Sequence, residues 1–407
     1  MYLARTLEKS IKTISDFFPV LLVTGPRQVG KTTVLQACGS EGRNYVSLDT
    51  LENRELARKD PALFLQRFKA PLLIDEIQYA PELFPYIKEH ADRLNQAGMY
   101  WLTGSQQFHL MKNVSESLAG RVGILRLEGF SQAERDGIPD RSPFLPSPET
   151  INVRAGTAPQ TDLVSVFHRI WKGSYPKMHK ADDDMWQIFY DSYVQTYIER
   201  DIRDFGAVSS ELSFLKFMKV LAARTGQILN YSDIARDVGI SSPTVKAWIS
   251  LLQTSGIIFM LHPYHNNINS RIIKTPKIYF MDTGLACYLT GWNTALTLER
   301  GAMSGGMLET YVVSEIVKSW WHNGKQPNIY YYRDSYKREI DILLEENGVL
   351  YPVEVKKKSN PGVGDITAFS VIESVLGKKR GHGAVVCMAQ THLPITADTD
   401  AIPVGYI

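Results

Sequence analysis

The chain has 407 residues, of which 44% are hydrophobic and 22% charged, and it carries a net charge of +2. That length predicts two to four domains, and the composition is that of an ordinary soluble globular protein. The near-neutral balance excludes a polycation, so any nucleic-acid contact has to come from local patches. Cys38, Cys287 and Cys387 are far apart, without metal or redox spacing, and read as buried thiols in a reducing compartment. No apolar run approaches the roughly 18 residues of a membrane span, so a cytoplasmic protein that does not contact membrane is expected.

At the N-terminus, Leu3, Leu7, Ile11 and Ile14 repeat at helical spacing with Arg5, Glu8, Lys9 and Lys12 between them. This predicts an amphipathic helix rather than a secretory signal. Val20–Val23 reads as a buried strand. Gly25-Pro26-Arg27-Gln28-Val29-Gly30-Lys31-Thr32 then fits G-x-x-x-x-G-K-[ST] in full, and Thr33 leads into a helix. Gly25 and Gly30 let the backbone wrap phosphates, Lys31 reaches the β- and γ-phosphates, and Thr32 can ligate Mg²⁺. Tyr45–Leu48 is a strand candidate and 51–69 reads as helical. Leu72–Ile74 is a strand that delivers Asp75 and Glu76. Asp75 is expected to hold Mg²⁺ through its water shell, and Glu76 to polarise the attacking water. A further strand, 98–103, ends in Gly104 and Ser105. Thr103 or Ser105 would then face the γ-phosphate. Arg121, in Ser117–Val122, stands where ring ATPases place an arginine finger, or is merely a solvated or ion-paired residue.

GPRQVGKTT, LLIDEIQYAP, LTGSQQ and SLAGR together resemble a bacterial and archaeal group of AAA-type ATPases. That family joins an N-terminal ATPase to a C-terminal domain of unknown function with a restriction-endonuclease-like core. The resemblance covers nearly the whole chain and implies architecture more than physiology. The segments around Tyr197–Asp201 and Lys277–Asp282 share it.

Residues 136–165 hold five prolines and read as a surface linker. Residues 185–202 predict a long helix whose aromatic stripe, Trp186, Phe189, Tyr193 and Tyr197, belongs in a core. Residues 213–261 read as helix, Gly239 turn, helix and strand, with Ser232 and Ser242 as caps: a winged helix-turn-helix. Its second helix offers Lys246, Trp248, Ser250 and Gln253, only one of them basic, so DNA contact and protein packing both stay open. Arg271, Lys274 and Lys277 are candidate phosphate contacts.

Downstream, a helix opens near Gly306. The strand 339–344 carries Asp341, Asn347-Gly348 is a hairpin turn, and 349–355 delivers Glu354, with Lys356 just beyond. This is the PD-(D/E)xK nuclease pattern. Asp341 and Glu354 would share a divalent cation, Lys356 would position the attacking water, and Glu309 would reach in from the helix. Lys357, Lys358, Lys378, Lys379 and Arg380 form a basic rim or a solvated face.

The predicted fold class is α/β. A P-loop parallel sheet (1–135) is followed by the linker (136–165), a helical and winged-helix domain (166–300) and a restriction-endonuclease-like α/β domain (301–407). The expected ligands are ATP and Mg²⁺, the expected partners DNA or RNA and further copies of the chain, with a ring as one arrangement. Two readings stay open for the whole: an ATPase that drives a nuclease, or a nucleotide-dependent switch carrying an inactive nuclease fold.

Overall fold

A computed structural model describes residues 2–39, 42–105, 114, 116–197, 210–265 and 275–407. Its N-terminal sheet has five parallel strands in the order β2-β3-β4-β1-β5. They are β1 (Val20–Thr24), β2 (Asn44–Ser47), β3 (Leu72–Asp75), β4 (Tyr100–Gly104) and β5 (Val122–Arg126). Every residue of β1 is buried. Leu21 and Val23 enter one core while Val20 and Leu22 enter the other, as the two-residue period of a strand covered on both faces requires. Because all five strands run the same way, Thr24, Asp75 and Gly104 end at one edge of the sheet.

The middle of the chain is helical: Pro148–Thr157, Leu163–Lys172, Met185–Tyr197, Glu211–Ala222, Tyr231–Val238 and Ser242–Thr254. An antiparallel pair, β6 (Ile258–Leu261) and β7 (Lys277–Phe280), follows, with Ile228 bridged to Lys277. Trp186, Phe189 and Tyr193 are buried, as their helical spacing predicts, and Tyr190 is buried beside them. Helix Ser304–Trp321 is almost entirely buried between the middle segment and a mixed C-terminal sheet. That sheet runs β13-β14-β12-β10-β9-β8, with β11 beside β10. The strands are β8 (Ile329–Arg333), β9 (Glu339–Glu346), β10 (Val349–Val355), β11 (Lys379–Arg380), β12 (Gly383–Cys387), β13 (Leu393–Thr396) and β14 (Thr399–Pro403). Asn347 and Gly348, both at positive φ (52° and 75°), make the β9–β10 hairpin.

Several local expectations change. Residues 51–69 form two helices, Leu51–Lys59 and Pro61–Arg67, because Asp60 caps a new start with Pro61 in its first turn. The segment read as a linker contains the helix Pro148–Thr157, whose Arg154 is buried and donates to the Tyr406 carbonyl at 2.5 Å. Caps fall at Asn230 and Ser241 instead of Ser232 and Ser242. Trp248 is not on a groove-facing surface; it is buried 5.0 Å from Phe214 and 5.3 Å from Phe217. Cys287 and Cys387 are buried, and Cys38 is half-buried. Ile198, Glu199, Arg200, Asp201, Arg271 and Lys274 lie outside the described residues, as does Gln106. Among the described residues no helix is long and apolar enough to cross a membrane.

Candidate functional site

The loop from β1 to helix Lys31–Cys38 turns through positive φ at Gly25 (148°), Gln28 (62°) and Gly30 (91°). A Cβ on Gly25 would stand 1.9 Å from the Leu127 carbonyl oxygen, so only glycine fits there. Lys31 is buried and its Nζ donates to the carbonyls of Gly25 (3.1 Å) and Pro26 (2.8 Å), which holds the ammonium over the loop. Thr32 Oγ1 donates to Asp75 Oδ1 at 2.6 Å. Thr103 Oγ1 donates to the same carboxylate and accepts from the Glu76 N–H at 3.0 Å, tying both acids to β4. Tyr45 donates to Asp75 Oδ2 at 3.3 Å.

Glu76 has left-handed backbone (φ 57°) and accepts from Ser105 Oγ at 3.2 Å and from Gln78 Nε2. Burial pushes its carboxyl upward, but the Lys31 charge, the Gln78 bond and Arg27 outweigh that and hold it below its ordinary value. It is therefore an ionised acceptor beside the phosphate loop. The sheet edge thus gathers Lys31, Thr32, Asp75, Glu76, Thr103 and Ser105. Thr32 and Asp75 present hard oxygen donors in contact with each other, which suits Mg²⁺.

A cleft of about 420 Å³ adjoins this edge. Tyr2, Leu3, Phe130 and Pro176 give it apolar walls beside Gly30 and Thr33, and Lys177 and Lys180 border it. Arg5, which helical spacing placed on a solvated face, precedes helix Leu7–Ser15 and is buried. Its guanidinium donates to the carbonyls of Val29 (2.9 Å) and Glu128 (2.8 Å) and pairs with Glu134 Oε1 at 3.1 Å. Glu134 is fully enclosed. Burial alone would raise its carboxyl, but Arg5 and His322 hold it far below the usual range. The His322 ring stands 3.2 Å from Glu134 and accepts the Glu128 N–H at 3.1 Å. The phosphate loop is thereby connected, through Arg5 and Glu134, to the residue that follows helix Ser304–Trp321.

Arg121 lies apart from this edge. It precedes β5 at the opposite end of the sheet and pairs with Asp92 through two contacts, one of them 3.1 Å. It cannot reach the phosphate loop of its own chain.

The second cluster forms on β9 and β10. Their register pairs Val353 with Ile342, so the next pair is Glu354 with Asp341, side by side on one face. Lys356 Nζ is 3.3 Å from Glu354 Oε2 and 3.6 Å from Asp341 Oδ2, and the Val355 N–H donates to Asp341 at 3.0 Å. Burial and the Asp341 charge push Glu354 up to about 10. Asp341 stays low through its bond to Glu354 and the Lys356 charge, which together outweigh its burial. Glu309 is near, but Lys277 Nζ (3.1 Å) and Tyr279 OH (2.6 Å) donate to it. Lys277 is only 4% exposed, so it makes no phosphate contact of the kind expected from sequence. The basic rim is largely neutralised: Lys357 pairs with Glu299 (2.7 Å), Lys358 with Asp365 (2.6 Å) and Arg380 with Asp398 (3.2 Å).

Residues 18–135 match the family described as AAA domain. The protein is an ATPase. Residues 164–296 and 304–407 match two domains of unknown function, DUF8612 and DUF4143. The chain is 27% identical over 391 residues to the uncharacterized proteins Rv2008c of Mycobacterium tuberculosis and Mb2031c of Mycobacterium bovis, covering 96% of this chain and 81% of each relative. Among solved structures, the Walker-type ATPase paby2304 of Pyrococcus abyssi is 16% identical with a TM-score of 0.40, over 69% of this chain and 94% of that one. AMPPCP-bound DnaA from Aquifex aeolicus is 14% identical with a TM-score of 0.29, over 61% and 85%.

Proposed function

We propose that this ATPase hydrolyses MgATP at the edge formed by Gly25–Thr33, Asp75, Glu76 and Ser105, and that turnover gates nucleic-acid handling by the C-terminal carboxylate–lysine site. The contact between Thr32 and Asp75, with ionised Glu76 beside Lys31, carries the reading. The loop amides and Lys31 would take the phosphates, while Thr32 and Asp75 would hold Mg²⁺, which screens phosphate charge when bound. Glu76 accepts a hydrogen bond from the attacking water and takes its proton. The 420 Å³ cleft has the size and apolar walls that suit an adenine ring, next to Thr33. Lys31→Ala should weaken nucleotide binding, whereas Glu76→Gln should keep binding and lose turnover. Normal turnover in both variants would refute the assignment.

For the C-terminal site, Asp341, Glu354 and Lys356 on one face support a PD-(D/E)xK-like nuclease. Two hydrogen-bonded carboxyl groups fit a hard divalent cation, and Lys356 is positioned to orient water. We read residues 211–261 and 277–280, with their helices and β6–β7 pair, as a winged helix engaged in packing, because Trp248 is internal. The neutralised rim favours a second reading, in which this module binds a partner without cutting nucleic acid. Arg121 would act on a neighbouring chain in a homo-oligomer, since its own loop is out of reach.

A further inference from the structure

Lys277 reaches the C-terminal carboxylates from a different part of the chain. It sits on β7, within the segment matched as DUF8612, while the acids belong to the DUF4143 segment. Its Nζ lies 3.1 Å from Glu309 on the long helix and 2.7 Å from Glu339 on β9. Glu339 and Asp341 are two residues apart on β9 and so share a face. Tyr279, two residues along β7, donates its hydroxyl to Glu309 at 2.6 Å. Arg333 touches Glu339 from the exposed side at 3.6 Å.

We propose that Lys277 stands in for a second divalent cation, so that the site takes one cation only, on Asp341 and Glu354. The inference rests on the metal-dependent reading of that site. A bridging cation would join carboxylates from separate elements, and the Lys277 ammonium already does so between the helix and β9. Paired ions in hydrolytic sites sit only ~3.5–4 Å apart. A buried ammonium between Glu309 and Glu339 therefore repels a second dication. Glu309, held by Lys277 and Tyr279, is removed from the ligand set. The site is also complete only when the β6–β7 pair is docked, which makes the middle segment a part of it.

The test is a count of bound Mn²⁺ by electron paramagnetic resonance on the full chain without nucleotide, taken as the difference from Asp341→Asn. Wild type should show one ion and Lys277→Met two. A wild-type count of two, or Lys277→Met still at one, overturns the inference alone. A wild-type count of zero overturns the metal reading and the inference with it. Lys277→Met leaves two acids without their partner and can fail to fold, so Glu309→Gln supplies an independent arm. If Lys277 excludes Glu309 from the ligands, Glu309→Gln should hold Mn²⁺ affinity within about twofold of wild type. Any larger loss would show that Glu309 supports the bound cation and would overturn the inference.

Discussion

The two candidate sites are built in opposite ways. At the ATPase edge one buried lysine rests on backbone carbonyls, and Asp75 is satisfied by the hydroxyls of Thr32, Thr103 and Tyr45. Lys31 also acts on nearby Glu76, whose carboxyl it helps to hold ionised, so the edge keeps a lysine and two acids for an anion and its metal. Around β9 and β10, lysines and carboxylates neutralise one another directly through Lys277–Glu309, Lys277–Glu339 and Lys356–Asp341. A site whose metal-binding acid is held by hydroxyls can take its cation without breaking an ion pair. One whose charges pair internally has to exchange those pairs for ligand contacts, and it opens or closes with the position of whichever element supplies the counter-charge.

The largest effect expected concerns Arg121. An arginine finger is worth ~10³–10⁵ in rate. Mixing Arg121→Ala chains with Lys31→Ala chains should restore some ATP turnover, because each mixed pair contains one intact composite site. No recovery, with a monomer in light scattering under saturating ATP, would confine the ATPase site to a single chain. Glu76→Gln comes next. Loss of a general base typically costs ~10²–10⁴ in rate, measured as kcat with KM for ATP little changed.

Arg5 tests whether the two regions are joined. Breaking a buried ion pair costs about 3–5 kcal/mol, so Arg5→Ala should lower the midpoint of urea unfolding and loosen the contact between Glu134 and His322. The same cluster predicts a pH dependence. Glu134 has a folded pKa far below its ordinary value of 4.5, so its contribution is fully present above that value. It is lost as pH falls through 4.5 and below, and Glu134→Gln should flatten that acid limb of the stability curve. An unchanged limb would show that the cluster does not hold the modules together. The smallest effect belongs to the cleft. Lys177→Glu should raise KM for ATP a few-fold, on the ~1 kcal/mol scale of an exposed charge, and leave kcat alone.

The contrast also explains what could be read from the chain. Lys31 and Thr32 are contiguous with Gly25, and Asp75 and Glu76 end a strand, so local spacing was enough to group them. Asp341, Glu354 and Lys356 were legible for the same reason, since one hairpin sets their register. Lys277 was misread because its partners lie in Glu309 and Glu339, beyond any local pattern, and because an isolated lysine before an apolar strand usually faces water. Arg5 failed likewise: its helical spacing with Lys9 and Lys12 was real, but the helix begins at Leu7 and Arg5 turns inward to Val29 and Glu134. The buried Trp248 shows how the helix Ser242–Thr254, whose residues had left DNA contact open, turns part of its face inward to pack against Phe214 and Phe217.

The account stands or falls on whether the chain holds two separate chemistries. The direct measurement follows ATP turnover and cleavage of DNA and RNA in the same Mg²⁺-containing samples, with and without ATP, for wild type and Asp341→Ala. The account predicts cleavage by wild type, its loss in Asp341→Ala, and ATP turnover largely retained in both. Cleavage that persists in Asp341→Ala, or no cleavage by wild type in any nucleotide state, would contradict it.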